Sequence, residues 1–151
     1  MKEILVDYQS RTSAALLKVL LKEFWKIDPV LIDTSNGYQQ HIKNTTAGLV
    51  IGDRALQQRR QSKYIYDLAE AWQQMTGLPF VFAAWVSNKK LPTEFIEKFN
   101  KTTGLGLHHL DEVVAAIDFE AYDMKVYYTE NIDYRLDDKK IEAVRLFLSK
   151  L

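Results

Sequence analysis

Ser10, Arg11, Thr12 and Ser13 stand together between a short apolar run, Ile4 to Val6, and a long apolar helical pattern. Three hydroxyls and a guanidinium in a turn before a helix have the chemistry of an anion seat. The first turn of a helix leaves its backbone N–H groups without intrahelical acceptors, and the positive end of the helix dipole adds to their attraction for an anion. A small carboxylate or phosphate is the expected occupant. The plainer alternative is N-capping, the commonest use of Ser and Thr before a helix. A second candidate group is Gly52-Asp53-Arg54, directly after the apolar run Leu49 to Ile51. In open α/β sheets ligands bind just beyond the carboxyl ends of strands. Gly52 permits a sharp turn or a close approach to a ligand. Here the alternative is that Asp53 caps a short helix and Arg54 pairs with a nearby carboxylate. His108 and His109 are adjacent, do not share a helix face and have no third ligand nearby, so no metal site is expected. No residue is marked for proton transfer, and the catalytic residues stay unassigned.

The elements that position these groups follow from periodicity. Ile4 to Val6 reads as a strand. Thr12 to Trp25 reads as a helix, with Leu16, Leu17, Leu20, Leu21, Phe24 and Trp25 on one broad face. Lys18, Lys22 and Lys26 line the other side as a solvated row, and Asp28-Pro29 is the expected stop. Val30 to Ile32 is a second strand, Tyr38 to Lys43 a short helix, and Leu49 to Ile51 a third strand. Gln57 to Lys63 is expected as an exposed loop. Tyr64 to Leu68 reads as a short strand entering a helix that Asp67 caps and Gly77 ends. Leu78 to Val86 is continuously apolar and rich in β-branched and aromatic residues, which favours a buried strand. A helix opens at Pro92-Thr93 with Phe95, Ile96 and Phe99 on its face, and Thr102 to Gly106 reads as a break. Helical spacing resumes at Leu110, Tyr122 to Thr129 fits strand or helix, and Asn131 to Leu136 reads as extended. A closing helix begins at Asp137-Asp138 and carries Ile141, Val144, Phe147, Leu148 and Leu151. The order gives an α/β fold with a mostly parallel sheet flanked by helices.

Composition narrows the function classes. The chain has 151 residues, 47% of them hydrophobic, with 20 basic and 20 acidic side chains and no cysteine. A nucleic-acid binder working through a general basic field is disfavoured, because phosphate contacts need clustered cations. Disulfides, thiolate metal sites and cysteine nucleophiles are excluded. No apolar run has the length that spans a bilayer. Met1 to Glu3 leads into a strand without a signal-peptide pattern, so no membrane association and a cytoplasmic location are expected.

Three motifs in order carry a family resemblance: Ser10-Arg11-Thr12-Ser13 before an apolar helix, Ile51-Gly52-Asp53-Arg54-Ala55 after a strand, and Thr76-Gly77-Leu78-Pro79-Phe80-Val81-Phe82-Ala83 with Trp85-Val86. Together they resemble the chorismate dehydratases of the futalosine route to menaquinone. Ile132-Asp133-Tyr134 and the Arg145-Leu146-Phe147 helix are similar to the family's C-terminus. The resemblance implies a two-lobed fold of the type 2 periplasmic-binding-protein kind. It also implies loss of water from chorismate to give 3-[(1-carboxyvinyl)oxy]benzoate, with no metal or organic cofactor. Family members carry a further N-terminal segment that supplies most of the first lobe. Residues 1–88 thus resemble the second lobe, and residues 89–151 a helix-rich return that packs on the hinge and first lobe. Carried over, Ser10, Arg11, Thr12, Ser13, Gly52 and Asp53 would bind substrate. Thr12 and Ser13 would donate to a carboxylate, Arg11 would pair with a carboxylate or clamp an acidic residue of the same lobe, and Asp53 would orient the ring or its hydroxyl. The alternative function is a small-anion-binding module of the same fold without chemistry. Apolar surface on the tail raises the further expectation of a homo-oligomer.

Overall fold

The computed structural model describes residues 1–151. Three strands, β1 (Glu3–Val6), β2 (Val30–Asp33) and β3 (Thr46–Gly48), form one sheet in the order β2-β1-β3. Both pairings are parallel: Glu3 stands opposite Val30 on one side and Thr46 on the other. The α/β class with a small parallel sheet is therefore as expected from the sequence. Helix α1 (Arg11–Leu20) follows β1 and continues as a wider turn over Leu21–Trp25. It ends on Lys26, which adopts the left-handed conformation at φ 53°, two residues before the expected Asp28-Pro29 stop. A short 3-10 turn, Tyr38–His41, lies between β2 and β3. Helices α2 (Asp53–Arg59) and α3 (Leu68–Thr76) come next. Asp67 caps α3 by accepting from the N–H groups of Ala69 and Glu70, and Gly77 closes it at φ 74°. The remaining helices are α4 (Thr93–Leu107), α5 (Leu110–Ala115), α6 (Met124–Val126), which runs on as a wider turn over Tyr127–Asn131, and α7 (Asp138–Leu148).

The chain divides into two compact units: Met1–Phe82 with Leu136–Leu151, and Ala83–Arg135. In the first, α1 is the organising element and buries two faces. Leu17 and Leu21 pack with Ile4, Val6 and Leu49 of the sheet side. Leu16, Val19 and Leu20 pack with Ala71 and Trp72 of α3 and Phe147 of α7. The Trp72 ring meets Phe80 and Phe147 edge-on, at centroid distances of 5.4 and 5.8 Å, a favoured arrangement for aromatic quadrupoles. The closing helix thus joins the sheet-bearing unit. Its inward face is Lys140, Ala143 and Phe147, whereas Leu148 and Leu151 are exposed. In the second unit α4, α5 and α6 bury no side chain completely. Trp85 meets Phe99 edge-on at 5.4 Å, and Lys125 pairs with Asp111 at 3.0 Å.

Several elements differ from the sequence reading. The third strand is Thr46–Gly48, upstream of the apolar Leu49 to Ile51, because the ladder ends where Leu49 N–H donates to Leu5 C=O at 2.8 Å. Leu78 to Val86 is no strand. Phe80 and Phe82 spend their rings on the aromatic cluster, while Trp85 and Val86 are 84% and 91% exposed. The run crosses from one unit into the other, and no strand edge pairs with it. Tyr64 to Leu68 likewise has no ladder partner before α3. The expected break at Thr102 to Gly106 lies inside α4. A helical glycine costs only about 1 kcal/mol, and α4 carries its two without ending. Phe95 and Ile96 stay substantially exposed on that helix. Gln57 to Arg59, expected in a loop, belong to α2. Tyr122 to Thr129 resolves as helical from Met124, capped by Asp123.

Candidate functional site

The carboxyl ends of β1 and β3 flank the point where the sheet's connections diverge. From β1 the chain passes through α1 to β2 on one side; from β2 it crosses to β3 on the other. In open α/β sheets the crevice outside the carboxyl ends of the strands at such a reversal is the usual ligand position. The segments leaving these two strands hold all six residues singled out as binding residues.

Ser10 is the N-cap of α1. Its backbone is extended (φ −128°, ψ 107°), and its Oγ accepts from Ser13 N–H at 3.0 Å. The Ser10 and Ser13 hydroxyls are hydrogen-bonded at 2.8 Å, and Ser13 is buried. The capping alternative thus describes Ser10 correctly. The N–H groups of Arg11 and Thr12 have no acceptor within the protein. The Thr12 hydroxyl has no partner either and is half-buried, and the Arg11 side chain is exposed without an ion pair. The turn therefore keeps donors at Arg11 and Thr12, while the two serines bond each other.

Gly52 precedes α2 at φ 61°, ψ −150°, a region essentially reserved for glycine. That conformation turns the chain from the end of the β3 segment into the helix. Asp53 is exposed at the first position of α2, and Gly52 rather than Asp53 is the cap. Arg54 reaches back to the segment that leaves β1. Its Nη2 donates to Asp7 Oδ2 at 2.9 Å, Asp7 Oδ1 at 3.1 Å and Gln9 Oε1 at 2.7 Å. Its guanidinium carbon lies 5.3 Å from the centre of the Tyr8 ring. Pairing of Arg54 with a carboxylate was one of the two readings the sequence left open; the carboxylate is Asp7.

Asp7 and Tyr38 went unassigned in the sequence, and they form the floor of the site. The Asp7 side chain has no solvent exposure. Oδ1 also accepts from Gln9 N–H at 2.9 Å, and Oδ2 from the Tyr38 hydroxyl at 2.8 Å. That hydroxyl also lies 2.5 Å from the carbonyl oxygen of Leu49, the residue whose N–H makes the last bond of the β1–β3 ladder. Burial, and next the hydrogen bond to Asp7, push the Tyr38 phenol well above its ordinary value of 10.0. Thr34, after β2, donates its hydroxyl to Val6 C=O at 2.7 Å. All three strand ends are thereby tied to one another. The signal for Asp7 was present: a carboxylate directly after an apolar strand needs a partner when it is buried. Nothing in the sequence told which cation or phenol would arrive.

No group of three or more His, Asp or Glu side chains converges as a metal site would require, and His109 bonds Glu112 at 2.9 Å. No helix is long and apolar enough to cross a membrane.

A family model described as menaquinone biosynthesis matches residues 1–151. The chain is 33% identical over 120 residues to the chorismate dehydratase of Campylobacter jejuni subsp. jejuni, covering 76% of this chain and 53% of that protein. It is 28% identical over 168 aligned residues to the chorismate dehydratase of Thermus thermophilus, covering 95% of this chain and 60% of that protein. The chain therefore spans between half and two thirds of the length of these relatives. With the family model matching from Met1 to Leu151, the chain belongs to the menaquinone biosynthesis family.

Proposed function

We propose that this chain works as part of a chorismate dehydratase, a hydro-lyase that removes water from chorismate to give 3-[(1-carboxyvinyl)oxy]benzoate. The observation that carries the proposal is the family match over residues 1–151, joined by the two relatives named chorismate dehydratase. The strand-end crevice is consistent with it. Chorismate is a dicarboxylate, and the crevice offers the N–H groups of Arg11 and Thr12, the Thr12 hydroxyl and the guanidinium of Arg54 as donors. In this reading Ser10 and Ser13 shape the turn and Arg11 and Thr12 donate to a substrate carboxylate. Gly52 brings the backbone close, and Asp53 orients the ring or its hydroxyl. The chain's part is binding and orientation, and the sheet-bearing unit serves as one lobe of a type 2 periplasmic-binding-protein-like fold. As a step in menaquinone assembly, the reaction belongs in the cytoplasm.

Chorismate turnover tests the proposal. Loss of chorismate and appearance of an aromatic product are followed for this chain and for a form spanning the relatives' full length. Turnover by the longer form is the expected result; turnover by neither overturns the reading. In the active form, Thr12→Val removes a hydroxyl while nearly keeping the volume, and should raise KM by about tenfold, the value of one hydrogen bond to a charged group. An unchanged KM would remove the helix start from the substrate site.

A further inference from the structure

Arg54 is held through one nitrogen. Nη2 makes all three of its hydrogen bonds, two to Asp7 and one to Gln9. Nη1 and Nε have no acceptor in the protein. A guanidinium carries five N–H donors in a rigid fork, so those on Nη1 and Nε remain unused. A salt bridge with no further task would be stronger as two parallel bonds from two nitrogens to the two carboxylate oxygens. Here both Asp7 oxygens share Nη2 instead. Asp7 is wholly buried, whereas the Arg54 side chain is 26% exposed. The anchor is thus inside and the unused donors belong to the group at the surface. Tyr8 stacks against the same guanidinium, and Gln9, bonded to it, immediately precedes the Ser10 cap. Arg54 therefore stands beside the start of α1, with its position fixed from two sides.

We propose that Arg54 is a ligand-contacting residue that receives a second carboxylate, with Asp7 and Gln9 as its positioning residues, making the crevice selective for dicarboxylates over monocarboxylates. The inference rests on the reading above that the first carboxylate sits at the start of α1. Its physical logic is separation of roles. A buried carboxylate fixes the orientation of the cation, and the cation keeps donors for a ligand without having to be ordered on binding.

Isophthalate, with two ring carboxylates, and benzoate, with one, are the probes. Each is titrated into this chain at neutral pH with binding read by calorimetry. The wild-type chain should bind isophthalate about tenfold or more tightly than benzoate, as one charge-assisted contact implies. Arg54→Gln should abolish that preference, bringing isophthalate affinity down to that of benzoate. Because this variant strands the buried Asp7 carboxylate, the double variant Asp7→Asn with Arg54→Gln is measured beside it. It removes both charges and should show the same loss of preference. Equal wild-type affinities, no binding of either probe, or a preference that survives in the folded variants overturns the proposal. The two readings separate cleanly. A preference that depends on Arg54 without chorismate turnover in the longer form keeps the subsite and removes the reaction. Turnover with a KM unmoved by Arg54→Gln keeps the reaction and removes the subsite.

Discussion

Tyr38 shows how one hydroxyl can hold three segments at once. Its proton is shared between the Asp7 carboxylate and the Leu49 carbonyl, so the phenol joins the β1 end, the β3 end and the turn that carries it. Ionising that phenol would place a second negative charge beside Asp7 in a buried position. Its pKa in the folded protein is therefore raised above the unfolded value near 10. The sign follows from linkage. Stabilisation from the protonated phenol is complete below about pH 10 and is lost as pH climbs toward the folded pKa. Urea denaturation between pH 8 and 12 should show stability falling in the alkaline limb, with a shallower fall in Tyr38→Phe. Near neutral pH the same variant should be less stable by about 1–2 kcal/mol, since it leaves buried acceptors short of a donor. Parallel curves for the two proteins would mean that the Tyr38 hydroxyl does not bridge the strands.

At the scale of elements, the two helices beside the crevice start differently. Helix α1 has a side-chain cap: Ser10 takes the N–H of Ser13. Helix α2 has none, and it starts from Gly52 in a conformation that other residues adopt only under strain. No atom lies within 4 Å of where a Gly52 Cβ would sit, so the cost of a side chain there is backbone strain alone. Gly52→Ala should lower stability by about 1–3 kcal/mol, measured by denaturant unfolding. Because Arg54 is two residues away, the variant should also weaken isophthalate binding. Full stability in Gly52→Ala would show that the turn into α2 relaxes without cost. The motif around Gly52 was legible as a turn from its sequence because glycine after an apolar run has few other uses. The strand before it was misplaced because apolar character continues past the last ladder bond: Leu49 stays buried by packing against α1.

Across the whole molecule, stability is concentrated in the sheet-bearing unit. Trp72 is fully buried where α1, α3 and α7 meet, against Phe80 and Phe147. Trp72→Ala should cost about 3–5 kcal/mol and free the closing helix, visible as faster amide hydrogen exchange in Asp138–Leu148. If exchange in α7 did not change, its docking would not depend on the tryptophan. The Ala83–Arg135 unit has no comparable anchor, its aromatic residues meeting in partly exposed pairs such as Trp85 with Phe99.

The sequence by itself determined the α/β class, the helix after β1, the Asp67 and Gly77 ends of α3, and the family motifs. Each of these depends on residues within a few positions of one another, where periodicity and capping chemistry act. Tertiary structure alone decided that Arg54 pairs with Asp7, that Tyr38 closes over both, and that Leu78 to Val86 finds no strand to join. These outcomes join residues up to 47 positions apart, or turn on whether a strand edge is free. They follow from which side of β1 the chain takes on its way to β3, and no local pattern encodes that choice.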